Sequence, residues 1–188
     1  MAKLCFVTSN IHKYNEVKPI AESLGIELEL CRDLKLEIQS DSIEEVVLKS
    51  AMIAYAVLSK PVLVEDAGLF IEALNGFPGP YSSYVYRTIG IKGILKLMEG
   101  VKDRRACFKS ASAVAFSKGV IVATGEVHGE IVLEPRGDKG FGFDPIFIPV
   151  GESRTFAEMT IEEKNSKSHR AISTRRVLEK YLSLAGSL

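Results

Sequence analysis

The sequence lacks the charge bias and the long apolar segments that mark several protein classes. Among its 188 residues, 24 Lys plus Arg balance 24 Asp plus Glu, which gives a formal net charge of zero. This balance argues against a protein whose main task is to coat nucleic acid or an acidic membrane surface, although it does not exclude a local basic pocket. No apolar run approaches the ~20 residues of a membrane-spanning helix. We therefore expect neither a membrane nor nucleic acid among its partners.

Cysteine is also scarce. Cys5, Cys31 and Cys107 are widely spaced and odd in number, and no Cys-x-x-Cys pattern is present. This argues against a disulfide framework and against a zinc or redox motif of that type. We therefore expect free thiols in a reducing compartment. The short apolar stretch near the N-terminus reaches polar Thr8 at once, which is too short for a signal-peptide core, so a cytoplasmic protein is expected.

The overall composition is typical of a globular protein, with 46% hydrophobic and 26% charged residues. A chain of this length buries roughly 70% of its unfolded surface, so it needs neither a metal nor a disulfide to fold. No internal repeat and no linker is evident. Residues 1–188 are therefore expected to form a single domain.

Apolar periodicity predicts a mixed α/β fold. Helical spacing predicts helices over 12–24, 43–59, 91–99 and 168–185. Short apolar or alternating runs predict strands over 3–8, 26–31, 34–38 and 62–64, and a long hairpin over 105–117 and 120–133. The stretches 75–86 and 137–149 are typical of loops. Because strands first interleave with helices and a hairpin follows, the sheet should contain an antiparallel section.

Polar residues follow the first predicted strand, where the first helix begins: Thr8, Ser9, Asn10, Ile11, His12 and Lys13. A helix N-terminus presents unpaired N–H groups and a positive dipole end to an anion. Ser, Asn and Lys side chains add donors there, although the Gly-x4-Gly-Lys pattern of a Walker loop is missing. The segment predicts a phosphate site. The alternative is an ordinary Asn or Ser cap beside a solvated lysine.

Two acidic residues, Glu65 and Asp66, follow the predicted strand 62–64 at the position where catalytic side chains are commonly mounted. Ala67-Gly68 comes next and lets a ligand approach the backbone closely. Glu37 lies in a separate strand-like segment. Carboxylates without Cys or His partners suit Mg²⁺, a hard ion that binds oxygen and phosphate. The alternative is that Glu65 and Asp66 only cap the next turn.

A glycine-rich segment, Gly140-Phe141-Gly142-Phe143-Asp144-Pro145, lacks the third glycine of a dinucleotide-binding fingerprint. Its two aromatic rings could instead clamp a flat ring, with Asp144 bonded to the edge of that ring. Stacking on a base contributes ~1–3 kcal/mol. The alternative is a glycine turn with two core phenylalanines.

A basic segment, Lys164 to Arg170, leads into the last predicted helix and again places donors and positive charge at a helix N-terminus. The alternative is a polar, solvated helix entry. Lys49 lies one turn after Glu45, so an i,i+4 surface pair is its simplest explanation. Taken together, a polyanion site, a hard-metal site and a ring clamp on one chain describe an enzyme that acts on nucleoside triphosphates.

Five motifs in this chain resemble the inosine triphosphate pyrophosphatase family, the house-cleaning hydrolases of nonstandard purine nucleotides. They occur in family order over residues 8–170: Thr8-Ser9-Asn10 with Lys13, Glu65-Asp66-Ala67-Gly68-Leu69, Gly76-Phe77-Pro78-Gly79-Pro80-Tyr81-Ser82, Gly140-Phe141-Gly142-Phe143-Asp144-Pro145-Ile146-Phe147, and Ser168-His169-Arg170. The resemblance implies a long mixed β-sheet flanked by helices, in two lobes with a central cleft, usually as a homodimer. It implies Mg²⁺-dependent hydrolysis of ITP, dITP and XTP to the monophosphate and pyrophosphate, which keeps deaminated purines out of DNA and RNA.

The resemblance also implies roles for individual residues. Residues 8–13 and Lys49 hold phosphates, Glu37 and Asp66 serve the metal, and Asp66 is the proposed base. Contacts to the purine base and its neighbours fall to Phe141, Gly142, Phe143, Asp144, Lys164, His169 and Arg170, and Ala67 is a further substrate-binding residue.

The expected mechanism is attack of water on the α-phosphorus, with Asp66 accepting the proton of that water. Lys13, Lys49 and the helix N-terminus would stabilise the departing pyrophosphate. Arg170 can only donate hydrogen bonds, so directed at a purine 6-oxygen it would favour hypoxanthine and xanthine over adenine. Two alternatives stay open: a pyrophosphatase for modified pyrimidine nucleotides, and a non-enzymatic nucleotide- or RNA-binding module.

Overall fold

The computed structural model of the chain describes residues 2–32 and 38–186. Its strands are β1 (Ala2–Val7), β2 (Ile26–Cys31), β3 (Val62–Ile71), β4 (Pro78–Gly79), β5 (Arg105–Phe116), β6 (Gly119–Ile131) and β7 (Phe147–Pro149). Its α-helices are α1 (Ile11–Ser23), α2 (Ile43–Leu58), α3 (Ser82–Thr88), α4 (Gly90–Leu97), α5 (Ile161–Asn165) and α6 (His169–Ala185). Within the described ranges, none of these helices is both long enough and apolar enough to cross a membrane.

The strands form one mixed sheet. Its order is β2-β1-β3-β5-β6-β7, and the short strand β4 pairs with β3. Strand β1 runs parallel to both β2 and β3, whereas β4 and β7 are antiparallel to their partners. This confirms the predicted α/β class with a long mixed sheet flanked by helices. The predicted strand over 34–38 lies, apart from Ile38, outside the described residues.

The chain divides into two compact units. The first comprises Met1–Asp66, Ser110–Gly125 and His169–Leu188, and the second comprises Ala67–Lys109 and Glu126–Ser168. The expected single domain over residues 1–188 and the expected central cleft between two lobes stay predictions.

The core of the first unit joins the parallel strands to two helices. Helix α1 contacts β2 and α6, and the apolar faces of these elements meet around Phe6 and Leu63. Phe116 and Tyr181 pack edge to face with their ring centroids 5.2 Å apart. The residues that form this cluster are Leu4, Phe6, Val17, Ala21, Ile26, Leu28, Leu63, Val114, Phe116, Ala123, Val177, Leu178 and Tyr181.

The core of the second unit is built around three aromatic rings. Phe147 lies 4.8 Å from Phe108 and 5.3 Å from Phe156, measured between ring centroids. Leu69 and Ile71 of β3 pack into the same cluster. Each unit therefore has apolar burial of its own.

The helix boundaries follow local signals that the sequence carries. Asn10 caps α1, and Gly25, which adopts a positive φ of 72°, terminates that helix as predicted. Ser42 caps α2 by accepting a hydrogen bond from the Glu45 amide. The Glu45 carboxylate in turn accepts a hydrogen bond from the Ser40 hydroxyl.

The structure corrects the predicted position of the acidic pair. Strand β3 extends to Ile71, so Glu65 and Asp66 lie in the middle of a ten-residue strand and not at its end. An apolar pattern does not reveal the full length of β3, because the polar side chains of Glu-Asp-Ala-Gly occupy the centre of the strand. The predicted loop 75–86 likewise contains β4 and the first turns of α3, and the predicted loop 137–149 ends in β7.

The expectation of free thiols is wrong for two of the three cysteines. Cys5 of β1 and Cys31 of β2 form a disulfide, whereas Cys107 is free and buried. The two bonded residues are 26 positions apart in sequence, and the parallel pairing of β1 with β2 brings them together. Spacing along the chain gave no sign of this pairing, because it depends on strand register.

Candidate active site

The turn between β1 and α1 is organised by its own side chains. The hydroxyl oxygen of buried Thr8 accepts a hydrogen bond of 3.1 Å from the Asn10 amide. The Asn10 side-chain oxygen then accepts bonds from the amides of His12 and Lys13, at 2.9 Å and 3.3 Å. Asn10 is therefore the helix cap that the sequence offered as the alternative. Ser9, Ile11 and His12 lie on the exposed side of this turn.

Lys13 is buried and not solvated. Its ammonium lies 3.0 Å from Glu65 Oε2, 3.3 Å from Asp66 Oδ1 and 3.2 Å from the backbone carbonyl oxygen of Glu65. An ammonium has three protons to donate, and three oxygens surround this one. Burial alone would lower the pKa of Lys13, but the carboxylates of Glu65 and Asp66 outweigh it, so that the pKa is raised.

Glu65 is the fully buried member of the acidic pair. Its Oε1 accepts a 2.7 Å hydrogen bond from the Ser110 hydroxyl and lies 3.1 Å from Arg170 Nε. Burial would raise the pKa of Glu65, but the guanidinium of Arg170 and the ammonium of Lys13 hold it well below its ordinary range. Glu65 is therefore ionised at neutral pH, although its side chain is fully buried.

Arg170 completes this network of buried charges. Its Nη1 lies 2.6 Å from Glu16 Oε2, and the neighbouring carboxylates of Glu65 and Glu16 outweigh burial and raise the pKa of Arg170. The network holds three carboxylates, Glu16, Glu65 and Asp66, against the two cations Lys13 and Arg170. Among these residues Asp66 is the most exposed, with 18% of its side chain accessible. That donor set suits a hard cation.

A cluster of small hydroxyl side chains supports Arg170 from behind. The hydroxyl oxygen of Ser173 on α6 lies 2.9 Å from the hydroxyl oxygens of both Ser110 and Ser112 on β5. The Ser173 hydroxyl also donates a hydrogen bond to the Arg170 carbonyl oxygen. Gly125 of β6 allows this close approach, because a Cβ there would lie 2.2 Å from the His169 carbonyl oxygen. These contacts fix the start of α6.

The basic segment before α6 is buried, which corrects the alternative of a solvated helix entry. Ser168, His169 and Arg170 are at most 3% exposed, and Lys164 is 2% exposed. Lys164 belongs to α5 in the second unit, whereas His169 and Arg170 open α6 in the first. Lys164 donates a 2.6 Å bond to Asp144.

Asp144 closes the glycine-rich turn on itself. Its Oδ2 accepts from both the Lys164 ammonium and the Phe141 amide, the latter at 2.9 Å. A Cβ at Gly140 would lie 2.2 Å from the same oxygen, so the turn requires glycine there. The Lys164 ammonium also lies 5.2 Å from the centroid of the Phe141 ring. These contacts hold the turn in place and leave Phe141 partly exposed.

The two rings of the predicted clamp differ in how far they are buried. Phe143 is 3% exposed, belongs to the core of the second unit and packs edge to face on Tyr86 at 5.4 Å. This packing favours the alternative of a core phenylalanine at position 143, and the two-ring clamp stays a prediction. Gly142 and Ala67 are partly exposed.

The remaining predicted residues differ in where they lie. Lys49 is exposed on α2 and pairs with Glu45 at 2.5 Å, which is the i,i+4 pair that the spacing indicated. The predicted metal ligand Glu37 lies outside the described residues. Sequence reasoning missed Glu16, Ser110 and Ser173. Glu16 carries a usable signal, because it lies three residues after Lys13, on the same face of α1.

The ionised state of Glu65 predicts acid sensitivity. Because its folded-state pKa lies below the ordinary value of 4.5, the ion pairs stabilise the fold above pH 4.5, and this contribution is lost as the pH falls below it. The pH dependence should reach roughly 1 kcal/mol per pH unit in the acid range. Urea unfolding should be measured across that pH range. The unfolding free energy of Glu65→Gln should change less steeply with pH than that of the wild type. The exposed Glu179 on α6 supplies the control, and equal slopes for Glu65→Gln and Glu179→Gln would contradict the assignment.

The mixed sheet and its cluster of ionised side chains define a mixed α/β protein with a charged, partly buried site. The chain belongs to the Ham1 family, whose family model matches residues 4–180. It is 55% identical over 174 residues to a dITP/XTP pyrophosphatase of Hyperthermus butylicus, covering 93% of this chain and 92% of that protein. It is 54% identical over 171 residues to a dITP/XTP pyrophosphatase of Saccharolobus solfataricus, covering 90% and 88%.

A solved structure agrees with this assignment. The structure of a HAM1 protein from Coxiella burnetii matches with a TM-score of 0.82 at 29% identity, covering 98% of this chain and all of that chain.

Proposed function

We propose that this protein hydrolyses the nonstandard purine triphosphates ITP, dITP and XTP to the monophosphate and pyrophosphate, and so keeps deaminated purines out of DNA and RNA. Two relatives that are 54–55% identical over at least 90% of the chain are named dITP/XTP pyrophosphatases. Their names support this substrate class. The observation that carries the chemistry is the partly exposed Asp66 carboxylate, held by Lys13 beside a fully ionised Glu65.

Asp66 is the residue that we assign to water activation. Its carboxylate would orient the attacking water and accept a proton from it. Lys13 fixes the carboxylate from one side at 3.3 Å, which limits the rotamers available to Asp66. Because all three protons of Lys13 face oxygens of the protein, we assign it to positioning Asp66 and not primarily to binding phosphate.

Mg²⁺ is the proposed cofactor, held by Asp66 together with Glu37. The carboxylate oxygens of the Lys13–Arg170 network fit this ion. When bound, Mg²⁺ supplies charge neutralisation on the triphosphate. The other phosphate contacts fall to the exposed polar groups of residues 8–12 and to Lys49, which can leave its surface pair with Glu45 at little cost.

The purine base is assigned to the glycine-rich turn. Phe141 presents its ring beside Gly142 on a turn that Asp144 and Lys164 hold in place. We also assign Ala67 and His169 to contacts with the substrate, because both belong to the family motifs. Phe143 supports this turn from the core, and Arg170 acts through Glu65.

The protein is further proposed to be a cytoplasmic homodimer with no nucleic-acid or membrane partner. These assignments rest on the neutral net charge and on the family resemblance.

Chelation tests the proposed metal. Removing Mg²⁺ should abolish pyrophosphate release from ITP while the melting temperature stays within a few degrees of that of the untreated protein, because each unit has its own apolar core. Activity should return when Mg²⁺ is added back. A chelator that melts the protein would show a structural metal, and activity that persists in chelator would remove Mg²⁺ from the account.

A comparison of substrates separates the open alternatives. ITP should be hydrolysed faster than a modified pyrimidine triphosphate. The reverse order would favour the pyrimidine enzyme, and binding without pyrophosphate release would favour a nucleotide-binding module.

A further inference from the structure

Three side chains with metal-binding atoms meet on the second unit. Cys107 lies on β5, and Glu126 and His128 lie two residues apart on the neighbouring strand β6, so that both point to the same face. The Cys107 sulfur, one Glu126 oxygen and one His128 nitrogen all lie within 4.8 Å of one another. None of these residues takes part in the proposed hydrolysis.

From this geometry we infer a second metal site, in which Cys107, Glu126 and His128 bind a borderline transition-metal ion of the Zn²⁺ type. Zn²⁺ holds sulfur at ~2.3 Å and nitrogen or oxygen at ~2.0 Å, which places neighbouring ligand atoms about 3.3–3.6 Å apart in a tetrahedron. The observed separations need only side-chain adjustments to reach these values. Three protein ligands leave the fourth position to water.

The donor set separates this ion from Mg²⁺. Mg²⁺ and Ca²⁺ prefer oxygen ligands, whereas a thiolate and an imidazole select softer ions such as Zn²⁺. Binding replaces the thiol proton of Cys107, which leaves to solvent, and forms a sulfur–metal bond. The ion would link β5 to β6 through their side chains.

Without a metal, the contacts of these three residues are weaker than metal–ligand bonds. His128 Nε2 lies 2.7 Å from Glu126 Oε1, and the sulfur of Cys107 lies 3.4 Å from the Phe108 carbonyl oxygen. Burial first, and then the Glu126 carboxylate, raise the pKa of the Cys107 thiol to about 12. Cys107 is therefore a poor nucleophile, and a bound cation gives the cluster a chemistry that the thiol alone lacks.

One cation competes for the same carboxylate. Lys109 Nζ lies 3.5 Å from Glu126 Oε2 and 5.2 Å from the centroid of the Phe70 ring. The Lys109 side chain is 45% exposed, so its pair with Glu126 is weak. A bound ion would displace Lys109 toward Phe70. Removing this lysine should therefore tighten metal binding.

Cobalt substitution in the full-length oxidised protein, with Mg²⁺ in excess, tests the proposal. A thiolate bound to Co²⁺ gives a near-ultraviolet charge-transfer band. Because Cys5 and Cys31 are joined in a disulfide, Cys107 is the thiol that can produce it. We expect the band in the wild-type protein and its loss in Cys107→Ser.

Zn²⁺ titrations of variants provide the second readout. The His128 side chain is 70% exposed, so His128→Gln keeps the fold, yet its Zn²⁺ affinity should fall by at least about 100-fold. His12→Gln, which removes an exposed histidine from α1, should bind as the wild type does, and Lys109→Gln should bind more tightly. Absence of the charge-transfer band, or equal Zn²⁺ affinity in His128→Gln and His12→Gln, would mean adventitious surface binding only and would overturn the proposal.

Discussion

Replacing Asp66 by Asn is expected to lower the turnover of ITP by about 10²–10⁴-fold while the fold is retained. The amide has nearly the same shape as the carboxylate, but it has no negative charge for Mg²⁺ and no basic oxygen to accept a proton from water. Lys13 keeps its two contacts with Glu65, so the buried part of the network persists. Steady-state kcat for ITP and the melting temperature should be measured on the same preparation.

Asp103 provides a matched control for this substitution. It is an exposed aspartate that pairs with Arg105 on the surface, and Asp103→Asn should leave both kcat and the melting temperature close to those of the wild type. Near-full activity in Asp66→Asn would remove Asp66 from the chemistry. Unfolding of Asp66→Asn, with Asp103→Asn intact, would show a structural carboxylate instead.

Replacing Arg170 by Ala should have the second large effect, which is on stability. The substitution removes the buried guanidinium that contacts both Glu16 and Glu65, and removal of one partner of a buried pair typically costs about 3–5 kcal/mol of unfolding free energy. Hydrolysis of ITP and of ATP should then fall by the same factor, because both substrates depend on the same Asp66 geometry. Urea unfolding and kinetics with both nucleotides measure these quantities.

Arg175, an exposed arginine on α6, gives the control, and Arg175→Ala should behave as the wild type. The sequence favoured another outcome, in which Arg170 reads the purine 6-oxygen and its loss narrows the ratio of ITP to ATP hydrolysis. A narrowed ratio with unchanged stability would restore that role and would contradict the positioning role assigned from the buried contacts.

The regular elements of this fold could be predicted because their signals are local. Asn10, Gly25 and Ser42 mark helix ends through caps and a positive φ, and the structure places those ends within a residue or two of the prediction. The hairpin of β5 and β6 follows from alternation over more than ten residues. The length of β3 could not be predicted, because its centre carries Glu65 and Asp66 in place of apolar residues.

The site could be predicted only in part, since its energetics depend on contacts between distant segments. The sequence pointed to Lys13, Asp66 and Arg170, yet it gave no sign that Arg170 lies between Glu16 and Glu65, 154 and 105 positions away in the chain. Ser110 and Ser173 are ordinary polar residues until β5 and α6 bring them together. The burial of Phe143 could not be predicted for the same reason. Only tertiary packing distinguishes a phenylalanine ring in the core from one that stacks on a ligand.

The products formed from ITP in water labelled with heavy oxygen test the central claim most directly. The account predicts that, with Mg²⁺ present, inosine monophosphate carries one labelled oxygen and pyrophosphate carries none, because water attacks the α-phosphorus. Label in the pyrophosphate would place the attack at the β-phosphorus. Release of inosine diphosphate and labelled phosphate would mean attack at the γ-phosphorus, and either result would contradict the proposed reaction.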